Sequence, residues 1–330
     1  MRRNYSVKIN SEFERNLEAA EVRKQMCAER RLGQWSRALN SWQLYLLILP
    51  AVFFTILFHY MPMYGIVIAF KDFRANRGIL GSAWVGLKHF RRFFAYPDFW
   101  KIILNTARIS LYSFATFPLP VILALMVNEL GSCRYKKFAQ MLTYAPHFIS
   151  TVVVCQMITI FFDRGNGLMN NIAVLLGRER VAYLEIAKCF PSIYVWSDVW
   201  QNLGWDAIIY IAALSGVSPD LIEAAQIDGA KRRHIVWHVN LPTILPTIVI
   251  MLILRCGGLF NVGFEKTYLL QNALNLDYSQ VISTYTYEIG LLNAQYSYSA
   301  AIGLFNTVIN VAFLLAVNAA AKKMSNVSLW

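Results

Sequence analysis

EAAQIDGAKRRHIVWHVNLP, residues 223–242, interrupts a chain that is otherwise mostly apolar. The stretch holds small residues, charges of both signs, a glycine and a closing proline. An apolar run of roughly bilayer-crossing length flanks it on each side. Ser218 and Pro219, just before it, are a helix-start pair, because serine caps and proline tolerates the first helical position. Residues 221–227 continue as a short amphipathic helix, and Asp228 and Gly229 end it, since glycine takes up the positive φ that terminates helices. Residues 230–238 suit a second short helix, with Pro242 and Pro246 marking the entry to the next apolar run. The local chemistry predicts a helix–turn–helix lying at a membrane surface. Ala224 and Ala225 are small enough to admit a close partner, and Glu223 is a fixed charge able to accept its hydrogen bonds.

Outward from this loop, the 330 residues are 57% hydrophobic and only 15% charged, below the charged share of an ordinary soluble domain. Apolar runs near the length that spans a bilayer lie at 44–66, 103–128, 138–162, 193–215, 243–263 and 299–320. They are continuous rather than alternating, which argues against a β-barrel and predicts an all-α integral membrane protein with six transmembrane helices. Residues 1–43 form a basic, polar tail without the apolar stretch of a signal peptide. This tail is expected in the cytoplasm, and six crossings return the 323–330 tail to the same side. Arg134, Lys136, Lys137, Lys231, Arg232, Arg233, Lys322 and Lys323 fall there too, as the positive-inside bias asks. The 71–101 loop, by contrast, sets seven basic residues on the other face. The net charge of +12 flanks spans, where the headgroups of membrane lipids attract it, and does not point to nucleic acid. Five cysteines without a CxxC read as small buried residues, with neither a zinc site nor a disulfide framework suggested.

The order Glu223, Ala224, Ala225, three residues, Gly229, then Leu241 and Pro242 resembles the EAA signature of binding-protein-dependent ABC importer permeases. Asp228 and Ala230 belong to the same match. LILPAVFFTILFHYMPMYGIVIAFKDF (47–73), NTARISL (105–111), APHFIS (145–150), SGVSPDLIEAAQIDGA (215–230) and FEKTYLLQN (264–272) resemble the sugar-permease branch, in its oligosaccharide and polysaccharide subgroup. The similarity covers roughly 44–322. It implies a type I importer permease of the bacterial inner membrane with cytoplasmic coupling helices in the 217–242 loop. It also implies a second homologous permease as heterodimer partner, two copies of an ATP-binding cassette ATPase, and an extracytoplasmic solute-binding protein. Glu223, Ala224, Ala225, Asp228, Gly229, Leu241 and Pro242 would couple ATPase closure to alternating access. ATP and Mg would be held by the ATPase, consistent with the lack of a GxxxxGK[ST] phosphate loop here. On this reading the chain is not itself an enzyme.

A sugar path shows as polar residues on one face of a span, because exposing them to lipid is costly. Asp198, Gln201, Asn202, Trp205 and Asp206 recur at i, i+3, i+4, i+7 and i+8, one helical stripe. Carboxamides and carboxylates suit sugar hydroxyls, and an indole suits the apolar face of a pyranose. The same stripe equally fits a polar interface between subunits. Asn105, Arg108, Tyr112 and Thr116 form a second stripe. Arg108 and Arg255 suit an acidic sugar, or pair with Asp198 or Asp206. Tyr278, Tyr285, Tyr287, Tyr296 and Tyr298 on the outer side either greet cargo or form an interfacial belt. His234 and His238 have i, i+4 spacing but lack the glutamate and third ligand of a zinc site. Pro50, Pro118, Pro120 and Pro146 within spans mark kinks. An alternative, a multi-span membrane enzyme acting on glycans or lipids, needs an acid, base or metal cluster that Asp198 and Asp206 alone do not make. A secondary transporter would leave the docking loop unexplained and calls for an internal repeat that is not evident.

Overall fold

The computed structural model describes residues 42–325, so the expected 1–43 and 323–330 tails fall almost wholly outside the described residues. The chain divides into two compact units at Gly65/Ile66. The described part of the first unit is helical: Trp42–Thr55 carries Pro50 within it and runs on through a π-helical turn, Ile56–Tyr60. The second unit holds everything that follows.

Among the described residues four helices are long and apolar enough to cross a membrane: α1 (Trp42–Phe70), α3 (Phe99–Asn128), α9 (Arg232–Gly257) and α13 (Tyr296–Ser325). Two bent pairs complete the set. The first joins α4 (Cys133–Phe148) to α5 (Thr151–Phe161) at 97°, and the second joins α7 (Ala187–Leu214) to α8 (Pro219–Ile227) at 76°. Counting each pair as one span makes six. Shorter elements fill the connections: β1 (Lys71–Arg74), β2 (Ser82–Trp84), α2 (Lys88–Phe94), α6 (Leu168–Leu175), α10 (Phe264–Leu270), α11 (Leu276–Ser279) and α12 (Ile282–Tyr287). The described residues are thus mainly helical, with one antiparallel ladder in which Lys71 pairs with Trp84 and Asp72 with Ala83.

Two expectations need correction. The 138–162 run is not a kinked rod. Pro146 sits in a 3₁₀ turn (Ala145–Phe148), Ile149 is extended, and the Ser150 hydroxyl accepts from the Val153 amide to begin a new helix. Proline has no amide to donate, and its ring crowds the preceding turn, so a cap offered four residues later converts a kink into a break. Conversely, 230–238 is not a separate helix before the fifth span. Helix α9 begins at Arg232 and runs unbroken to Gly257, short of the expected end at 263. A π turn at Val236–Asn240 leads directly into Pro242. Such a bulge removes the i→i−4 bond that the proline could not make.

Three apolar clusters hold the second unit. Phe93, Phe99, Tyr285 and Tyr298 anchor one around α2, α3, α12 and α13. Ile109, Val154, Tyr194 and Val281 centre the next. Val121, Ala207, Tyr210, Leu214 and Ile244 lock α3, α7 and α9 near the loop that carries α8. The aromatic cluster decides the fate of the outer tyrosines. Tyr285 and Tyr298 are buried with hydroxyls 3.4 Å apart, and burial pushes the Tyr285 phenol above its ordinary range. Neither greets cargo nor joins a belt. Tyr278 lies beneath Arg108, and Tyr287 packs on Phe264 and Tyr268.

Part of the basic 71–101 segment is tied down by its neighbours. Lys71 donates to the Ile79 carbonyl at 2.8 Å, Arg92 sits 4.3 Å over the Tyr298 ring, and Lys101 pairs with Asp277 at 2.5 Å. Three of the segment's seven cations are thus engaged within the protein. Of the cysteines, Cys155 and Cys256 are buried as expected, whereas Cys133 is exposed and Cys189 half-buried. Cys27 lies outside the described residues.

Asn275 organises the segment between α9 and α13. Itself fully buried, it donates its amide to the Leu184 and Leu270 carbonyls, and its Oδ1 accepts from the Asn272 amide and the Ser279 hydroxyl. Removing that carboxamide strands several buried groups at once. Asn275→Ala is expected to cost about 2–4 kcal/mol, read as a lowered thermal midpoint of the detergent-solubilised protein.

Candidate functional site

The loop residues form a compact surface element. Pro219 opens α8 at its first position. Ser218 is extended, as a cap must be, but its side chain makes no capping hydrogen bond, so proline geometry alone begins the helix. At the other end the Gly229 amide donates to the Gln226 carbonyl at 3.0 Å and the Ala230 amide to the Ala225 carbonyl at 2.9 Å. With Gly229 at φ +79°, this is a complete Schellman ending. Ile222 packs inward against the Tyr210 and Leu214 cluster. The outward surface presents Leu221, Glu223, Ala224 and Ile227, the last 86% exposed. Asp228 is exposed at the turn, while Ala225 is half-buried. Leu241 packs against the core cluster and Pro242 is exposed beside it, so this pair positions the loop rather than extending its outer face. Glu129 at the end of α3 accepts from the buried Asn240 amide at 3.3 Å, tying the start of α9 to its neighbour. A short helix with a small-residue, apolar and acidic outer face is built to seat in a socket.

The second set lies on α7. Gly204 permits its closest approach to α4: a Cβ there would lie 2.2 Å from the Thr143 carbonyl oxygen. That crossing brings the 145–150 break against the α7 stripe. Gln201 is buried and donates to the Ile149 carbonyl at 2.9 Å. His147 stacks flat on Trp205, rings 4.3 Å apart and 7° from parallel, with its Nδ1 2.9 Å from Asn202 Oδ1. Asn202 in turn donates to Asp198 at 3.0 Å. Asp206 faces Arg255 of α9 at 3.7 Å, and Arg255 also donates to the Ser113 carbonyl. A cavity of about 480 Å³ is lined by His147, Asp198, Gln201, Asn202 and Lys266. A neighbour of about 280 Å³ is lined by Ser113, Asp198, Asn261 and Arg255, and the two share Tyr194, Asp198 and Gly263.

The α3 stripe is held differently. Asn105 is buried and donates to the Asp277 and Gln280 carbonyls, Arg108 rests 4.4 Å over the Tyr278 ring, and Tyr112 accepts from Trp196 at 2.8 Å. Thr116 donates to the Ser113 carbonyl within its own helix. These groups pin α3 to the 277–280 connection and to α7, and Arg108 pairs with neither aspartate. Lys266 and His147 are lining residues that the sequence pattern did not single out, and Lys266 is the less expected. It is 5% exposed and 3.7 Å from Asp198, and its one signal was a single cation in the short FEKTYLL helix, between Glu265 and Thr267. Among the described residues no three His, Cys, Asp or Glu side chains gather as metal ligands. His234 and His238 lie on α9 with rings 6.3 Å apart.

Comparison with known proteins accords with this geometry. Residues 78–326 match the family model described as binding-protein-dependent transport system inner membrane component. The polygalacturonan/rhamnogalacturonan transport system permease protein YteP of Bacillus subtilis is 41% identical, over 89% of this chain and 92% of its own. Protein LplB of the same organism is 39% identical over 90% and 94%. A solved bacterial ABC transporter involved in import of the acidic polysaccharide alginate matches with TM-score 0.81 and 36% identity, covering 88% of this chain and 99% of that one. The expected type I permease architecture is thereby established, and the chain belongs to the binding-protein-dependent transport system inner membrane components, as a membrane-spanning transport subunit rather than an enzyme.

Proposed function

We propose that the chain is one of two permease subunits of an ATP-driven importer for oligosaccharides or polysaccharide fragments rich in acidic sugars. The observation that carries the cargo is the kinship with permeases named for polygalacturonan/rhamnogalacturonan and alginate, each at more than a third identity over nearly the whole chain. Two loosely paired cations beside the path cavities, Arg255 and Lys266, support it chemically. In this reading α8 faces the cytoplasm, as do both termini. Its Glu223–Gly229 surface seats in an ATPase that holds ATP and Mg, and a solute-binding protein delivers cargo from outside. A second permease completes the pathway. The alginate importer has been solved with a pentasaccharide-bound periplasmic protein, which supports this assembly.

The class is tested by tagging the C-terminus, extracting from native membranes in mild detergent and identifying what co-purifies. Recovery of an ATPase, a second permease and a solute-binding protein is expected; isolation of the chain alone under several gentle conditions overturns the assembly. Cargo is tested by uptake of labelled oligogalacturonides or alginate oligomers, which should require this subunit.

The α7 stripe makes a separate prediction. A pyranose using the stacked face of Trp205 must displace His147, a ring contact of about 0.5–1.5 kcal/mol. His147→Ala is therefore expected to lower the uptake KM several-fold, and Trp205→Ala to raise it by a similar factor, both with the permease pair intact. Loss of the pair instead, read by size exclusion, would assign the stripe to the subunit interface.

A further inference from the structure

Lys266 is out of place by ordinary rules. Its Nζ is sealed from the surface and makes no hydrogen bond, and its nearest anion, Asp198 Oδ1, stands at 3.7 Å. That separation is beyond hydrogen-bond length. A buried ammonium held this loosely forgoes most of what would compensate its desolvation. The same Asp198 oxygen already accepts from Asn202 at 3.0 Å, and the carboxylate is 37% exposed toward the shared wall of the two cavities. The lysine is nonetheless placed with care. Gly263, just before α10, donates its amide to the Tyr194 hydroxyl at 3.0 Å, and the Tyr194 ring lies 5.1 Å from Lys266 Nζ. Thr267, fully buried, donates back to the Gly263 carbonyl. On the other side of Asp198, Arg255 lines the second cavity and makes an equally long 3.7 Å approach to Asp206.

Resting on the acidic-cargo reading above, we propose that Lys266 is a specificity-determining residue that binds a carboxylate of the transported sugar, with Asp198 as its stand-in anion when the path is empty. Asp198 keeps the buried charge compensated between cargoes, and the long, poorly aligned pair makes exchange for a uronate carboxylate inexpensive. A tight bidentate pair in the same place would resist that exchange. The four-carbon stem of lysine gives the ammonium reach from one carboxylate to the other. A neutral sugar offers nothing that draws the ammonium off Asp198.

The test uses the complete importer in proteoliposomes, with binding protein saturated by trigalacturonate or by its carboxyl-reduced, neutral counterpart. The readout is the ratio of acidic to neutral uptake. Wild type is expected to favour the acidic trimer. Lys266→Met should lower the ratio at least tenfold, and Lys266→Arg should hold it within about threefold. The double variant K266M/D198N, which leaves no unpaired charge, should assemble normally and still show the tenfold loss. Equal decline of both sugars in the assembled double variant, or an unchanged ratio in Lys266→Met, would make Lys266 a structural tie and overturn the proposal. A wild-type importer that does not favour the acidic trimer would defeat the acidic-cargo reading, and the proposal with it.

Discussion

Importers carrying Glu223→Arg are expected to retain both permease subunits yet lose uptake by at least a hundredfold. Glu223 stands on the exposed surface of α8 and makes no hydrogen bond or ion pair among the described residues, so the change leaves this chain's own packing untouched. What it alters is the surface offered to a partner. Charge reversal with added bulk, at a position that the proposed ATPase socket would bury, carries the cost of an interface hot spot, about 3–4 kcal/mol, or a hundredfold and more. Gly229→Val reaches the same end by another route. Space around Gly229 is open, but its φ of +79° suits no β-branched residue, so the turn must rearrange and tilt α8. Both variants should show ATPase activity that is absent or no longer linked to transport, measured on the purified complex. Normal uptake by Glu223→Arg would remove α8 from the coupling path.

Gly204→Val is expected to prevent accumulation of the folded chain, and Gly204→Ala to destabilise it by about 3 kcal/mol or more. A Cβ at residue 204 would sit 2.2 Å from the Thr143 carbonyl oxygen and 2.4 Å from its carbon. Both are backbone atoms, so relief requires α4 and α7 to part instead of one side chain turning. Overpacking that side chains can absorb costs about 1–3 kcal/mol, and a backbone clash lies at or beyond that limit. The separation would also pull His147 from Trp205 and Ile149 from Gln201, which link the same two segments. Gly303→Ala is the control, because a Cβ there meets nothing within 4 Å. Membrane yield and thermal midpoint read both outcomes, and equal behaviour of the two alanine variants would refute the close crossing.

The contrast between the two sites tracks how far each depends on neighbours distant in sequence. The form of the loop was readable because a short helix with a proline start and a glycine stop is settled within a dozen residues. The path residues were only half readable. Periodicity placed Asp198, Gln201, Asn202, Trp205 and Asp206 on one stripe, but it could not say that Gln201 would be consumed by the Ile149 carbonyl or that His147 would cover Trp205. Asn105 shows the same limit, since its polar face turned out to meet the Asp277 and Gln280 carbonyls.

By itself the sequence determined the apolar runs, the polar loop between the fourth and fifth of them, and where α8 begins and ends. Those properties follow from hydropathy and local backbone preference, which need no partner. The structure, not the apolar pattern, decided that Pro146 breaks a span instead of bending it, that α9 absorbs the second loop helix, and that Lys266 comes to rest against Asp198. Local signals start the first two, but each is held by a group far along the chain, Gln201 on the Ile149 carbonyl, Glu129 on the Asn240 amide and Asp198 beside Lys266, and no local pattern records which distant group that will be.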